Sequence, residues 1–152
     1  MHAVRYRCLE AALADVLIVK PKGMGAFRAK LRHLRNLGLP RLPRPGSGQA
    51  INYTRPQALE LVVAMELEKF GQVPRMAAEN AKSIVRQCPY GQHEGEDCFV
   101  TITEAKPGYT VAYGVNGLSE FMRTAPDVFF VINVSGCVRR LEAALNRRLA
   151  TT

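Results

Sequence analysis

The sequence has no tryptophan and no apolar run long enough to cross a bilayer. A membrane-spanning helix needs about 20 consecutive apolar residues. The longest candidate near the N-terminus, residues 9–19, is interrupted by Glu10 and Asp15, which also makes it unlike a signal peptide. Apolar residues still make up 47% of the chain, which is too many for a disordered protein. We therefore expect a soluble, cytoplasmic protein with a packed core.

Cysteine and histidine are few, at four and three residues. Because nothing in the sequence indicates secretion and cytosolic thiols stay reduced, we expect all four cysteines to be unpaired. Cys88, His93 and Cys98 follow one another at five-residue steps, and Cys137 could supply a fourth zinc ligand. Structural zinc sites usually contain a tight Cys-x2-4-Cys pair, which this loop lacks. We expect no metal and no cofactor, with zinc as the disfavoured alternative.

Groupings that would support catalysis are also scarce. One loop holds three acidic residues, but no histidine or basic partner is placed to set up acid–base chemistry with them: Glu94, Glu96 and Asp97. The glycines of residues 23–25 and 46–48 form stretches too short for a phosphate-binding loop. Three aromatic residues predict the inward face of a sheet: Phe99, Tyr109 and Tyr113. The disfavoured alternative is that they form a stacking platform for single-stranded nucleic acid. The sequence favours a binding protein over an enzyme.

Acidic residues are almost missing from the first third of the chain. Residues 1–56 hold 11 Lys and Arg against two Asp and Glu, residues 57–98 hold four against seven, and residues 99–152 hold six against four. The net charge of +8 therefore belongs mainly to the N-terminal third. Such a field attracts polyanions and provides affinity for phosphate groups. A membrane surface is a weaker candidate, because no basic amphipathic helix carries a bulky lipid-facing side.

The N-terminal third predicts two helices separated by a break. The first covers residues 5–18, and the proline and two glycines of residues 20–25 end it. The second runs from about residue 25 to Leu37. One apolar stripe repeats along it at positions i, i+4 and i+7: Phe27, Leu31 and Leu34. Gly38 follows, where a left-handed cap is expected.

The middle of the chain predicts a hairpin and two further helices. Residues 41–53 contain too much proline and glycine for a helix and predict two strands joined by a turn. Thr54, with Gln57 three residues later, is a capping-box signal for a third helix over residues 54–70, which we expect to be the most buried helix. A fourth helix is expected over residues 74–88.

After a loop, the pattern becomes that of strands. Apolar and β-branched runs predict three strands, at residues 99–103, 109–113 and 128–134. A short helical turn is expected near Ser119, between the second and third strands. A last helix is expected over residues 138–149. We expect an α+β protein of two units, a mainly helical domain over residues 1–88 and a small β-rich module with a C-terminal helix over residues 97–152.

The second helix carries the residues that point to a function. Its basic side chains form a stripe offset by about 100° from the apolar stripe, so one side can pack while the other faces a ligand. We expect the helix to lie against phosphates or enter the major groove of duplex DNA, and the basic hairpin that follows to contact the same ligand. The candidate DNA contacts are Arg28, Lys30, Arg32, His33 and Arg35 on the helix, and Arg41, Arg44, Asn52, Tyr53 and Arg55 around the hairpin. The plainer alternative is a solvated helix face.

The order of these parts resembles the MerR-type family of winged helix-turn-helix DNA-binding domains over about residues 8–86. The resemblance is carried by the strings FRAKLRHLRNLGLP, PRPGSGQAINYT and RPQALELVVAMELEKFG. It implies a dimeric transcription regulator with a recognition helix in the major groove, a wing along the backbone or minor groove, and a long helix leading away. By the same resemblance, DNA would be contacted from the helix by Arg28, Arg32 and Arg35, and from the wing by Arg44 and Tyr53. The wing departs from the usual Gly-Tyr-Arg-x-Tyr string, since Gln49 to Asn52 stand between Gly48 and Tyr53.

Other functions remain compatible with this pattern. An excisionase or terminase-small-subunit type of protein from a phage or mobile element would share the domain. A protein-interaction module would instead use the basic helix to recruit an acidic protein.

The last helix offers an apolar stripe that we expect to form a homodimer: Val138, Leu141, Leu145 and Leu149. A symmetric dimer would double the contacts and match a palindromic site. The alternative is that the stripe covers the module's own sheet. A DNA-bound protein of this kind would be associated with the bacterial nucleoid, and its sequence does not reveal an effector.

Overall fold

The computed structural model describes residues 4–40, 51–88, 96–103, 109–125 and 129–150. Within these ranges the chain is α+β, as predicted, with six α-helices and two small sheets. The elements in chain order are β1 (Val4–Arg5), α1 (Tyr6–Val16), α2 (Met24–Asn36), β2 (Asn52–Tyr53), α3 (Arg55–Lys69), α4 (Pro74–Gln87), β3 (Cys98–Thr103), β4 (Thr110–Tyr113), α5 (Gly114–Thr124), β5 (Phe129–Asn133) and α6 (Val134–Leu149). None of the helices in these ranges is long and apolar enough to cross a membrane.

Local sequence signals mark the start of α3 and the end of α2. The capping box at the start of α3 is confirmed, because Thr54 Oγ1 accepts from the Gln57 amide at 3.3 Å and Gln57 Oε1 accepts from the Thr54 amide at 2.8 Å. The cap expected after α2 is also present, with Gly38 in the left-handed region at φ 76°. Since these signals depend on a few neighbouring residues, they can be read without tertiary structure.

The first helix ends in the same kind of cap but without glycine. The Val19 amide donates to the Ala14 carbonyl at 2.9 Å. Ile18, the residue before Val19, has φ 56° and so lies in the left-handed region. The equivalent positions after α2 and α3 are Gly38 and Gly71. A β-branched residue is a genuine outlier in this region of the backbone.

The smaller sheet differs from the expected hairpin. β2 pairs antiparallel with β1, so that Val4 lies opposite Tyr53 and Arg5 opposite Asn52. The strand expected before the turn falls in residues 41–50, outside the described residues. β1 was not predicted, because two residues are too few to show a periodic pattern.

The larger sheet is antiparallel with strand order β4-β3-β5, and its three strands lie where they were predicted. The short turn expected near Ser119 is wrong, because α5 is a helix of 11 residues. The predicted start of the last helix at Val138 is also wrong. α6 begins at Val134, since the Asn133 side chain caps it by accepting from the Gly136 amide at 2.6 Å.

α3 lies at the centre of the core and packs against α1, α4 and α6. Eight of its 15 residues are buried, as expected for the most apolar helix. Leu141 and Leu145 bring α6 into the same core, where the helix packs on α1 as well as on α3. The division into residues 1–88 and 97–152 stays a prediction, and the core extends across it.

The expectation of four unpaired cysteines is wrong for one pair, because Cys88 and Cys98 form a disulfide. Cys88 caps the end of α4 and Cys98 begins β3, which brings their Cα atoms to 6.5 Å. That separation lies within the range of disulfides. Cys8 and Cys137 are free thiols.

Candidate nucleic-acid interface

The apolar stripe of α2 faces the core and leaves its basic side in solvent. Phe27, Leu31 and Leu34 are buried and hold the helix against α1 and α4. The exposed side carries four basic or titratable residues that we call the α2 basic face: Arg28, Arg32, His33 and Arg35. The predicted offset between the two stripes is therefore present, and it presents the charges on one side of a 13-residue helix.

Two cations of α2 form ion pairs with carboxylates of neighbouring helices. Arg28 Nε donates to Glu10 Oε1 on α1 at 2.8 Å, and Lys30 Nζ lies 2.8 Å from Glu68 Oε2 on α3. Both carboxylates are largely buried, with exposed side-chain fractions of 15% for Glu10 and 11% for Glu68. The pairs therefore fix the two cations without adding much negative charge to the surface.

Arg35 is held by an aromatic contact. Its guanidinium lies 5.5 Å from the centroid of the Tyr6 ring, a cation–π distance. Tyr6 in turn packs against Tyr53 at 6.1 Å between ring centroids. Burial raises the pKa of the Tyr6 hydroxyl, and the nearby Glu10 charge adds to the effect, so the ring stays neutral beneath the cation.

Arg32 and His33 differ from their neighbours on α2. Both are exposed, and neither side chain has a partner among the described residues. Arg32 lies between the fixed Arg28 and Arg35 on the helix. It is the arginine of the α2 basic face whose charge-assisted hydrogen bonds are open to a ligand.

Sequence reasoning missed further cations beside this face. Lys20 and Lys22 are exposed in the turn that leads into α2, and Arg5 and Arg7 are exposed around the start of α1. Residues 4–40 hold eight Lys and Arg against two acidic residues, a balance of +6. The high basic count of this third of the chain is the signal for these cations, whereas the proline and glycines of the turn indicate only a helix break.

Two residues predicted as wing contacts have other roles. The prediction that Tyr53 contacts DNA is wrong, because its side chain is 0% exposed. The pairing of β2 with β1 turns its ring into the core, where burial raises the pKa of its hydroxyl. Arg55 forms an ion pair with Glu142 of α6 and so joins α3 to the C-terminal helix.

The other predicted hairpin contacts divide into two groups. Asn52 is exposed beside β1, as a surface contact requires. Arg41 and Arg44 lie outside the described residues, and their predicted role stays a prediction.

The apolar stripe of the last helix lies mostly inside the chain. Leu141 and Leu145 are buried and Val138 is half-buried, whereas Leu149 is 40% exposed. A homodimer through Leu141 and Leu145 would require α6 to leave α1 and α3. The dimer itself stays a prediction.

The residues weighed for other chemistry have structural partners. Tyr109 donates to Ser83 Oγ at 2.6 Å and Tyr113 donates to the Gln87 carbonyl at 2.8 Å, so both hydroxyls fasten the larger sheet to α4. Asp97 accepts from Arg139 at 2.6 Å, and this hydrogen bond lowers the pKa of the Asp97 carboxyl.

The zinc site that the sequence disfavours is the remaining alternative. Across the described ranges, no group of three or more His, Cys, Asp and Glu side chains could hold a metal ion. His93 lies outside the described residues, and its proposed zinc partners Cys88 and Cys98 are joined to each other.

No family model matches this chain, and no curated protein matches its sequence. The residues of the chain itself therefore carry the functional argument.

Proposed function

We propose that this chain binds duplex DNA through the α2 basic face and acts as a transcription regulator in the cytoplasm. The observation that carries the proposal is Arg32, an exposed arginine that has no partner among the described residues and is flanked by arginines held in place. An α-helix fits the major groove, which is about 12 Å wide. At 13 residues, α2 is about 20 Å long, enough to follow the groove over several base pairs.

The division between fixed and open cations suits DNA recognition. Arg28 and Arg35 are already ordered, so contacts from them to phosphates cost little side-chain entropy. Arg32, which is not bound by any residue in the described part of the chain, can donate to a guanine edge or a phosphate. Phosphate contacts fix the register of the helix, and base contacts give the sequence preference.

The start of α2 supplies a second region for phosphate. The helix begins without a side-chain cap and without an acidic residue in its first turn. The positive end of the helix dipole favours an anion at such a start. Lys20 and Lys22, immediately before it, add positive charge.

The proposal includes a winged domain of the MerR type, with Arg41 and Arg44 on the wing and a homodimer on a palindromic site. Tyr53 and Arg55 are left out of the contact set, because one is buried and the other is paired with Glu142. The dimer contact is likewise not assigned to Leu141 and Leu145.

The test is binding to a random-sequence duplex, followed by selection of preferred sites and titration with salt from about 50 to about 200 mM. We expect Arg32→Ala to weaken binding about tenfold or more, since one bidentate arginine contact contributes about 1–3 kcal/mol. The matched control is Arg147→Ala, an exposed arginine on α6, which should leave the affinity unchanged.

Three outcomes would contradict the proposal. Equal losses in the two variants would show that only net charge matters. Absence of duplex binding at low salt would leave an interaction with an acidic protein as the better explanation. Binding to duplex DNA without any preferred sequence would remove the regulator and favour a packaging or architectural role.

A further inference from the structure

An open groove lies on the side of the core where α1, α3 and the β5–α6 junction meet. Its volume is about 580 Å³, within the range of small-molecule sites. The walls combine apolar and cationic groups. Leu17, Ile18 and Phe70 supply apolar surface, and Lys69, Arg139 and Arg140 supply positive charge.

The charges of the groove do not cancel. Lys69 Nζ contacts both carboxylate oxygens of Glu66 at 3.0 and 3.1 Å. Arg139 is bound through two nitrogens to Asp97 at 2.6 and 3.1 Å. Arg140 has no carboxylate partner among the described residues, and its guanidinium lies beside a thiol instead.

That thiol does not neutralise Arg140. Arg140 Nη2 lies 3.4 Å from Cys137 Sγ, and Cys137 is buried. Burial raises the pKa of the Cys137 thiol, so the sulfur is uncharged at neutral pH. One uncompensated positive charge therefore remains on the wall of the groove.

Ile18 gives an independent reason to look for an occupant. It is 79% exposed at the rim, and its backbone has φ 56° in a cap where α2 and α3 use glycine. The fold alone would favour glycine or a polar residue there, because an isoleucine adds both backbone strain and exposed apolar surface. A ligand that covers the side chain would remove the second of these costs.

We propose that this groove binds a small organic acid, a carboxylate with an apolar body, whose anionic end pairs with Arg140 and whose apolar end lies on Ile18 and Phe70. Beyond its contact to the Cys137 sulfur, the guanidinium has further N–H groups that can make a bidentate contact to a planar carboxylate. This site is separate from the α2 basic face and does not depend on DNA binding.

The experiment uses the full chain and octanoate as the probe, with octanamide as its uncharged match. Calorimetry measures affinity, and backbone amide NMR shifts locate the site. We expect octanoate to bind with shifts concentrated at residues 16–18 and 136–140, and octanamide to bind much more weakly. Arg140→Gln should weaken octanoate binding about tenfold or more, since a hydrogen bond to a charged group is lost.

Two further variants separate the ends of the ligand. Ile18→Gly keeps the left-handed backbone and removes the apolar contact, so it should also weaken octanoate binding. Arg147→Gln, on the same helix as Arg140 but outside the groove, should bind octanoate like the unaltered chain. Thermal melts of each variant check that the fold is kept.

The proposal is overturned if octanoate does not bind, if octanamide binds equally well, or if Arg140→Gln binds octanoate like Arg147→Gln. A dimer that Ile18→Gly dissociates, together with no octanoate binding, would assign the groove to a second copy of the chain.

Discussion

Glu60 is a half-buried carboxylate on α3 whose charge is poorly compensated. Its Oε2 atom is buried without a hydrogen-bond partner among the described residues. Burial raises the pKa of the Glu60 carboxyl, and the charges of Lys82 and Arg86 on α4 oppose that rise only in part. The ionised form is therefore less favourable in the folded chain than in the unfolded chain.

We predict that Glu60→Gln raises the free energy of unfolding at pH 7, on the order of 1 kcal/mol for a buried unsatisfied group. Because the folded pKa is the higher one, the protonated carboxyl stabilises the fold fully below its unfolded pKa, and this contribution is lost as pH rises through the folded pKa. The gain should therefore shrink towards pH 4. Urea unfolding at both pH values measures it.

The exposed Glu120→Gln serves as the control for Glu60→Gln, and we expect it to show no such pH dependence. A Glu60→Gln variant that is less stable than the unaltered chain at pH 7 would contradict the prediction.

At the scale of elements, the Cys88–Cys98 disulfide joins the end of α4 to the start of β3. It spans a sequence separation of 10 and so limits the freedom of the connecting loop in the unfolded chain. The hydroxyls of Tyr109 and Tyr113 hold the same two regions together by hydrogen bonds to α4. The joint between helix and sheet is therefore both covalent and polar.

We predict that a chemical reductant lowers the stability of the oxidised chain by about 3 kcal/mol, since a short disulfide loop restricts the unfolded state by about that amount. Cys88→Ala combined with Cys98→Ala should be insensitive to the reductant. Cys8→Ser should respond to it as the unaltered chain does. Thermal melts with and without reductant measure the effect, and identical melts of the unaltered chain would refute it.

At the scale of the whole molecule, α6 connects the two halves of the sequence. Leu141 and Leu145 lie in the common core, and two ion pairs reach back to earlier elements: Arg55 with Glu142, and Arg148 with Asp15 at 2.8 Å. Surface ion pairs contribute little individually, so the buried leucines dominate this connection.

We predict that Leu141→Ala lowers the free energy of unfolding by about 2–5 kcal/mol, as is usual for a leucine removed from a packed core. Because α6 packs on α1 and α3, hydrogen exchange in those two helices should accelerate together with that in α6. Leu149→Ala, at a partly exposed position, should have a small effect. Unchanged exchange in α1 and α3 would indicate that α6 belongs to an independent unit.

The sequence by itself determined the features that depend on near neighbours. The Thr54 capping box, the cap at Gly38 and the stripe of Phe27, Leu31 and Leu34 follow from helix period and backbone chemistry within a few residues. The offset of the α2 basic face follows from the same period. The 11 residues of α5 were missed, because Gly114 and Gly117 weaken the local helix signal.

Only the tertiary structure decided which charges are fixed and which are open. Arg28 and Arg35 are held by Glu10 and Tyr6, which lie on another helix, and Arg32 is not held by any described residue. The burial of Tyr53 and of the α6 stripe likewise depends on elements distant in the sequence. A side chain's partner is set by which surfaces pack together, and no local periodicity encodes that choice.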